Sequence, residues 1–362
     1  MVAEFLINLA ELGLVPDQVV RAGIRRLLSR RLATLANGSQ AKEEAKLAEF
    51  ADRLRQSPLA VETAAANQQH YEVPAEFFRR VLGPRLKYSC CQFSTDLATL
   101  AEAEDLMLHE TCRRADIQRD LRILDLGCGW GSLTLWIAEH YRGCQITAVS
   151  NSASQRRFIE ARAREQGFSN VRVITADIRT FDPGERFDRV LSVEMFEHLR
   201  NYELLFHRVA DWLAPEGKAF VHVFCHRSTP YLFEVNGAAN WMGRHFFTGG
   251  MMPSENLFAQ FQNDLAIESQ WQVSGMHYYL TCEHWLKNLD GHRADVLRLF
   301  ERDLSPMRSR ILLQRWRMFF MACAELFRYR SGNEWFVGHY LMKRQAKLTE
   351  PVTPDQRLVE IA

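Results

Sequence analysis

Glu194, Glu197 and His198 lie close enough in sequence to act as one proton-handling group. If the chain turns helical after the apolar run Phe187 to Val193, spacings of three and four put all three on one face. A carboxylate there can take a proton from an ammonium, and an imidazole titrates near neutrality, so together they can expose the lone pair of a nucleophile. The same residues would serve equally well to cap a helix or pair with arginines. What sets them apart is their place at the C-terminal end of an expected strand, where open α/β sheets build their sites.

A second set of residues points to a bound nucleotide. In Ile123-Leu124-Asp125-Leu126-Gly127-Cys128-Gly129-Trp130-Gly131-Ser132-Leu133 an apolar strand runs into closely spaced glycines and then a helix. Glycine lets the backbone turn sharply and approach a ligand, and the helix start offers unpaired N–H groups. The dinucleotide fingerprint G-x-G-x-x-G fails because Ser132 stands where its third glycine belongs. D-x-G-x-G, opened by Asp125 and carried by Gly127 and Gly129, is instead the form seen in class I methyltransferases, whose cofactor is S-adenosylmethionine. After the next strand, Ser150, Asn151 and Gln155 replace the usual acid but can still hydrogen-bond a diol. Asp177 and Ile178 follow the third strand, an acceptor and an apolar side chain suited to an adenine ring.

These residues must be positioned by a sheet. From Leu121 onward, short apolar runs alternate with helical stretches, which predicts βαβ units and a mainly parallel sheet. Strands are expected at Arg122–Leu126, Gln145–Ser150, Val171–Thr175, Phe187–Val193, Lys218–Val223, Ala266–Val273 and Glu334–Met342. The predicted fold is α/β: a Rossmann-like seven-stranded class I methyltransferase sheet with a helical N-terminal segment and helical cap insertions. The expected divisions are an N-terminal helical segment (1–70), a lead-in contributing to the cofactor site (71–120), the core (121–225), a substrate cap (226–264), the last strands with a helical excursion (265–345) and a loose tail (346–362). The cap supplies Phe233, Trp241, Phe246, Phe247, Met251, Met252, Phe258 and Phe261, about half expected to be packing and the rest an apolar pocket or a cage for a cationic amine.

Composition narrows the classes. The chain has 362 residues, with 45 Lys and Arg against 44 Asp and Glu, so its +1 net charge supplies no field for nucleic acid. No apolar run reaches spanning length and no basic leader precedes an apolar stretch, so the expected place is the cytoplasm. The eight cysteines form no C-x-x-C pair. His222, Cys225 and His226 offer too few ligands for a closed zinc site, and no metal is predicted. The basic amphipathic helix carrying Arg21, Arg25, Arg26, Arg30 and Arg31 either packs on its own domain with a solvated arginine face or touches anionic lipid. The apolar faces of the N-terminal helices also suit a homodimer.

The motifs His70-Tyr71, Tyr88-Ser89-Cys90-Cys91, the Gly127 to Gly131 loop, Val149-Ser150-Asn151-Ser152 with Gln155, and Glu194-Met195-Phe196-Glu197-His198 resemble the cyclopropane-fatty-acid-synthase-like methyltransferases. Within them the sequence looks most like the coclaurine N-methyltransferase branch, from about residue 5 to 345, including Trp316-Arg317 and Asn333-Glu334-Trp335. The resemblance implies that Tyr88 and Ser89 hold the cofactor's methionine end, that Gly127 and Gly129 lie beneath it, and that Asp177 and Ile178 border its adenine. Lipid-modifying members of this family hold a bicarbonate with Cys, Glu, His and Tyr. The matching positions here are Cys90, Glu197, His222 and, for the Tyr, Phe319 or Met318, so the phenol is missing.

The expected activity is methyl transfer from S-adenosylmethionine to a small nucleophile, foremost an amine nitrogen, with Glu194, Glu197 and His198 as catalytic residues. Lipid methylation or cyclopropanation of an acyl chain is the alternative, and a thiol or carbon acceptor a further one. A cofactor-binding scaffold without catalysis would leave the acid and base residues without a purpose.

Overall fold

The computed structural model describes residues 2–35, 40–61, 73–237 and 240–345. The His70-Tyr71 motif and the tail beyond residue 345 lie outside the described residues. Seven strands form one sheet in the order β3-β2-β1-β4-β5-β9-β8. They are β1 (Arg122–Leu126), β2 (Gln145–Ser150), β3 (Val171–Thr175), β4 (Phe187–Val193), β5 (Leu213–His226), β8 (Leu265–Val273) and β9 (Trp335–Arg344). The first five run parallel, and β9 is antiparallel to both β5 and β8. The sequence boundaries hold closely except at β5, which starts five residues before the expected Lys218. Ala214-Pro215-Glu216-Gly217 reads as a turn, but Leu213 pairs with Phe187 across a register shift that absorbs it.

Alternation along the strands divides the core. Ile123, Ile146, Leu191 and Phe220 point to one face, where they meet Trp136 and Ile137 of α6 (Ser132–His140) and Leu108 of α5 (Leu100–Arg114). Leu124, Leu126, Val149, Val190 and Val221 point to the other, against Tyr202, Phe206 and Val209 of α8 (Tyr202–Trp212). Phe50 and Leu54 of α3 (Gln40–Arg55) join this second face.

A helical layer covers the C-terminal edge of the parallel strands. It contains α1 (Val2–Glu11), α2 (Asp17–Leu35), α4 (Ala75–Val81), α10 (Gly275–Gly291), α11 (Arg293–Phe300) and α12 (Pro306–Phe327), and shares one core built on Phe77, Phe78, Trp285, Trp316 and Phe320. The N-terminal helices therefore separate, α1 and α2 joining this layer and α3 the sheet. Of the arginines of α2, Arg21 is drawn inward, gripping Glu283 of α10 at 2.6 Å and reaching Glu325 of α12, whereas Arg25, Arg26 and Arg30 stay exposed, Arg25 while also pairing with Glu325. Arg317 of α12 returns the contact by pairing with Asp17 at 2.7 Å.

Residues 226–264 divide rather than form one lid. A two-stranded ribbon of β6 (Tyr231–Leu232) and β7 (Met251–Met252) brackets α9 (Trp241–His245). Trp241, Phe246 and Met252 pack into the helical layer, whereas Met251, Phe258 and Phe261 pack with Tyr202 and Phe206 on the sheet. Those last three are core, because each is at most 1% exposed and turned from the cap. Phe233 and Phe247 remain partly accessible and stack with ring centres 5.0 Å apart. No helix among the described residues is long and apolar enough to cross a membrane.

Candidate active site

Two cavities at the ends of β1, β2 and β4 meet at Gly127 and Gly129. One is bordered by Ser150, Asn151, Gln155, Asp177, Ile178 and His198, the other by Lys87, Tyr88, Ser89, Asp125, Ser132 and Glu194. Every residue that the sequence assigns to the cofactor lines one of them. The glycines fit their places for different reasons. All three of Gly127, Gly129 and Gly131 have positive φ, where side chains are strained. A Cβ on Gly131 would press on Ile159 at 2.7 Å, but one on Gly129 would meet nothing within 4 Å and would stand in the cavity.

The cavity walls also hold polar atoms with no partner among the described residues. Thr111 Oγ1, Trp130 Nε1 and Ser132 Oγ are buried and unpaired around the second cavity, as is Gln155 Nε2 at the first. Gln155 spends its oxygen on Ser150 Oγ at 2.6 Å, which leaves its amide donors directed away from that bond. Buried donors are costly to leave unpaired, so these atoms and the open cradle at Gly129 suit the hydroxyls and zwitterion of S-adenosylmethionine. Asp125 is held by the Thr134 hydroxyl at 2.6 Å, and burial pushes its carboxyl up to about 6. Asp177 is gripped by Arg179, whose guanidinium lowers its pKa.

The segment carrying Tyr88 and Ser89 is organised by Glu104, which sequence reasoning missed. Its carboxylate accepts the backbone N–H groups of Gly83, Arg85 and Lys87 at 2.8 to 3.1 Å. Burial pushes the Glu104 carboxyl up to about 7 against those donors. Lys87, also missed, is buried with its ammonium on Ser89 Oγ and the Cys90 carbonyl.

At the end of β4 the chain does not become α-helical. Glu194 sits in the left-handed region at φ 49°, its N–H bonded to the His222 carbonyl at 2.8 Å, and only Phe196–His198 form a single 3-10 turn. The three expected catalytic residues therefore do not share a helix face; the reversal at Glu194 sends its side chain back across the sheet end. There Glu194 Oε1 accepts the Cys90 N–H at 2.9 Å and lies 3.2 Å from His222 Nε2, while Oε2 accepts the Tyr278 hydroxyl at 2.5 Å. A phenol is thus present, on α10 rather than at Phe319 or Met318. It serves a carboxylate that belongs to the chain itself.

Glu197 is fully buried, with Oε1 accepting the Phe224 N–H at 2.9 Å and Oε2 lacking any hydrogen-bond partner among the described residues. Burial, reinforced by the charge of Glu194, pushes its pKa well up. Burial also raises the Glu194 carboxyl, opposed by Lys87, the Cys90 amide and Tyr278. His198 is driven down to about 4 by burial, so its imidazole is neutral at pH 7. Its ring stacks with Phe247, and Phe247 approaches Phe224 and Phe319 at 5.8 and 6.0 Å. A pair of buried carboxyl groups thus adjoins an aromatic wall.

Known proteins are similar to this chain in sequence and fold. Residues 60–335 match the family model for mycolic acid cyclopropane synthetase. Over 344 residues the sequence is 39% identical to (S)-coclaurine N-methyltransferase of Thalictrum flavum subsp. glaucum, covering 94% of this chain and 95% of the other. Cyclopropane-fatty-acyl-phospholipid synthase of Escherichia coli (strain K12) is 28% identical over 272 residues, 75% of this chain and 66% of that one. A crystal structure of coclaurine N-methyltransferase bound to N-methylheliamine and SAH superposes with a TM-score of 0.92 at 37% identity, covering 95% of this chain and 100% of that one. The cyclopropane synthase MmaA2 of Mycobacterium tuberculosis has the same fold, with a TM-score of 0.68 at 22% identity over 80% of this chain and 100% of that one.

Proposed function

Since the chain belongs to the mycolic acid cyclopropane synthetase family and is an S-adenosylmethionine-dependent methyltransferase, we propose that it methylates the nitrogen of a small amine bearing an aromatic part. The observation that carries this reading is the buried pair Glu194 and Glu197, one of whose oxygens, Glu197 Oε2, has no hydrogen-bond partner among the described residues. An alkene arrives with neither a proton nor a charge and acquires a charge and a labile proton only after methylation, whereas a protonated amine presents both to such a pair on arrival. Bound S-adenosylmethionine supplies a methyl group on a positively charged sulfur, open to attack by a lone pair.

An amine of high pKa arrives protonated and must lose that proton before it has a lone pair. We assign that step to Glu197 Oε2, the oxygen left without a hydrogen-bond partner among the described residues. In its ionised form this carboxylate is, because of burial, a stronger base than one in water, so it takes the ammonium proton and holds it as a carboxylic acid while the freed lone pair attacks the methyl group. Glu194, held by donors on both oxygens, is the fixed anion that favours the positive charge developing on nitrogen as the new bond forms. His198 stays neutral and so adds no opposing charge. Phe247, partly accessible and backed by the buried Phe224 and Phe319, offers an aromatic face to a cation or an aromatic ring.

The proposed assignment of cofactor contacts is that of the sequence: Tyr88, Ser89, Asp125, Gly127 and Gly129 toward the methionine end, Ser150, Asn151 and Gln155 toward the ribose, Asp177 and Ile178 toward the adenine. We place the enzyme in the cytoplasm, in keeping with eight unpaired cysteines. Phe5, Leu6, Leu14 and Val19 are exposed apolar residues of the N-terminal region, which supports a homodimer or peripheral contact with lipid.

Incubation with methyl-labelled S-adenosylmethionine and a panel of amines, thiols and anionic phospholipid vesicles tests the reading. Label should enter an amine, and Glu197→Gln should lower kcat by about a hundredfold, the usual scale for loss of a general base, with cofactor affinity kept. Label confined to lipid, or full turnover in Glu197→Gln, would overturn it.

A further inference from the structure

His222 of β5 and His339 of β9 are register partners in the antiparallel pair, with His339 Nε2 2.8 Å from His222 Nδ1. The remaining nitrogen of each ring is also engaged. His222 Nε2 faces Glu194 Oε1 at 3.2 Å, and His339 Nδ1 faces the Arg114 guanidinium at 2.8 Å. Arginine has only N–H groups to offer, so His339 Nδ1 accepts. Its proton then sits on Nε2 and is donated to His222 Nδ1, which leaves His222 protonated on Nε2 and donating to Glu194. The arginine end thus sets every proton position in the chain. Both rings are fully buried and neutral: burial holds each well below the ordinary histidine range, and the Lys87 and Arg114 charges act in the same direction.

We propose that Arg114 and His339 are positioning residues for methyl transfer, locking His222 in the tautomer that donates to Glu194 and so keeping that carboxylate ionised and aimed at the acceptor. The proposal rests on the reading that Glu194 faces the reacting amine. Arg114 is itself fixed, paired with Glu110 at 2.6 Å and lying over the Trp271 ring. The other titratable groups around Glu194 are Lys87, Cys90 and Cys91 from the segment before α5, Glu197 and His198 from the 3-10 turn, and Tyr278 and Cys282 from α10. Of these donors and charges, only His222 has its proton position dictated from a distance. Without the relay its Nε2 is free to lose the proton to Nδ1 and turn a lone pair toward an anion.

The test combines spectroscopy with kinetics on the full chain. In wild type, histidine 15N spectra should show both His222 and His339 protonated on Nε2 across neutral pH, and Arg114→Met should release His339 from that tautomer. Arg114→Met and His339→Phe should each lower kcat about tenfold or more with KM little changed, the scale seen when the hydrogen-bond partner that orients a metal-bound histidine is removed. The acid limb of the kcat profile should move to higher pH, because an anion with fewer donors is easier to protonate. Arg114→Lys, which keeps an N–H donor, should recover most of both. A wild-type His339 protonated on Nδ1 would overturn the proposal. So would a kcat loss that follows cofactor affinity or thermal stability while the acid limb stays in place. Expected tautomers combined with full activity of Glu194→Gln would locate the failure in the amine reading instead.

Discussion

Replacing Gly129 and Gly131 separately by Ala should separate the stability and cofactor-binding roles of one short loop. Both have positive φ, 52° and 81°, so a side chain at either costs about 1–2 kcal/mol of backbone strain. At Gly131 the new methyl also meets Ile159 at 2.7, 3.1 and 3.2 Å, and overpacking adds about 1–3 kcal/mol. Gly131→Ala should thus lose about 2–5 kcal/mol, a Tm lower by about 4–10 °C at roughly 2 °C per kcal/mol for a large chain. Gly129→Ala should lose only about 2–4 °C, since nothing lies within 4 Å of its methyl. That methyl stands in the cofactor cavity, and a tenfold weaker Kd would remove about 1.4 kcal/mol of ligand stabilisation. Thermal denaturation with and without saturating S-adenosylmethionine reads both quantities. Gly131→Ala should melt low yet keep its cofactor-induced shift, and Gly129→Ala should melt near wild type with a reduced one. A full cofactor shift in Gly129→Ala would refute the placement of the cofactor over this glycine.

Three further outcomes follow from buried charges. Asp125 has its pKa raised to about 6, so the stability this raised pKa contributes is present below the unfolded value near 3.8 and is lost as pH rises through 6; Asp125→Asn should be more stable than wild type at pH 7.5 by up to about 3 kcal/mol, an advantage that vanishes by about pH 4 in thermal scans. His198 is depressed to about 4, so its contribution is present above the unfolded value near 6.5 and lost as pH falls toward 4; His198→Asn should flatten that part of the stability profile, and an unchanged slope would show the ring to be accessible to protons. Glu104→Ala strands the buried N–H groups of Gly83 and Lys87 at about 1–3 kcal/mol each, with the part-buried one of Arg85 costing less, and should lower both Tm and cofactor affinity, whereas Glu104→Gln should retain part of each.

The sheet was legible in the sequence because strands buried on both faces must be apolar along their length and are bounded by polar loops. The glycine cradle was legible because positive φ and close approach leave few alternatives to glycine. The conformation at Glu194 was not, since spacing describes a regular helix and a left-handed residue interrupts one without any local mark. Nor were long-range partners: Arg114 and His339 are 225 residues apart, and they meet only because a helix end packs beside the strand whose register sets His339 against His222. A signal was nevertheless available. His222 and His339 stand inside otherwise apolar strands, and a polar ring there has to find a partner. Glu104 lies among Leu100, Ala103, Met107 and Leu108 on the buried face of α5, where an acid must likewise answer to something. The cap aromatics were only half legible because large rings serve a core and a pocket equally well.

The carboxylate that receives Cys90, His222 and Tyr278 is tethered to its own backbone. A free formate or bicarbonate in that place would exchange with solvent, vary in occupancy with buffer and be displaced by competing anions. Glu194 cannot be diluted or dialysed away, and its local concentration is fixed by covalent geometry rather than by supply. The carboxyl group at this end of the sheet is therefore a permanent inheritance of the fold, present in every molecule whatever the buffer, and only its proton is left to exchange.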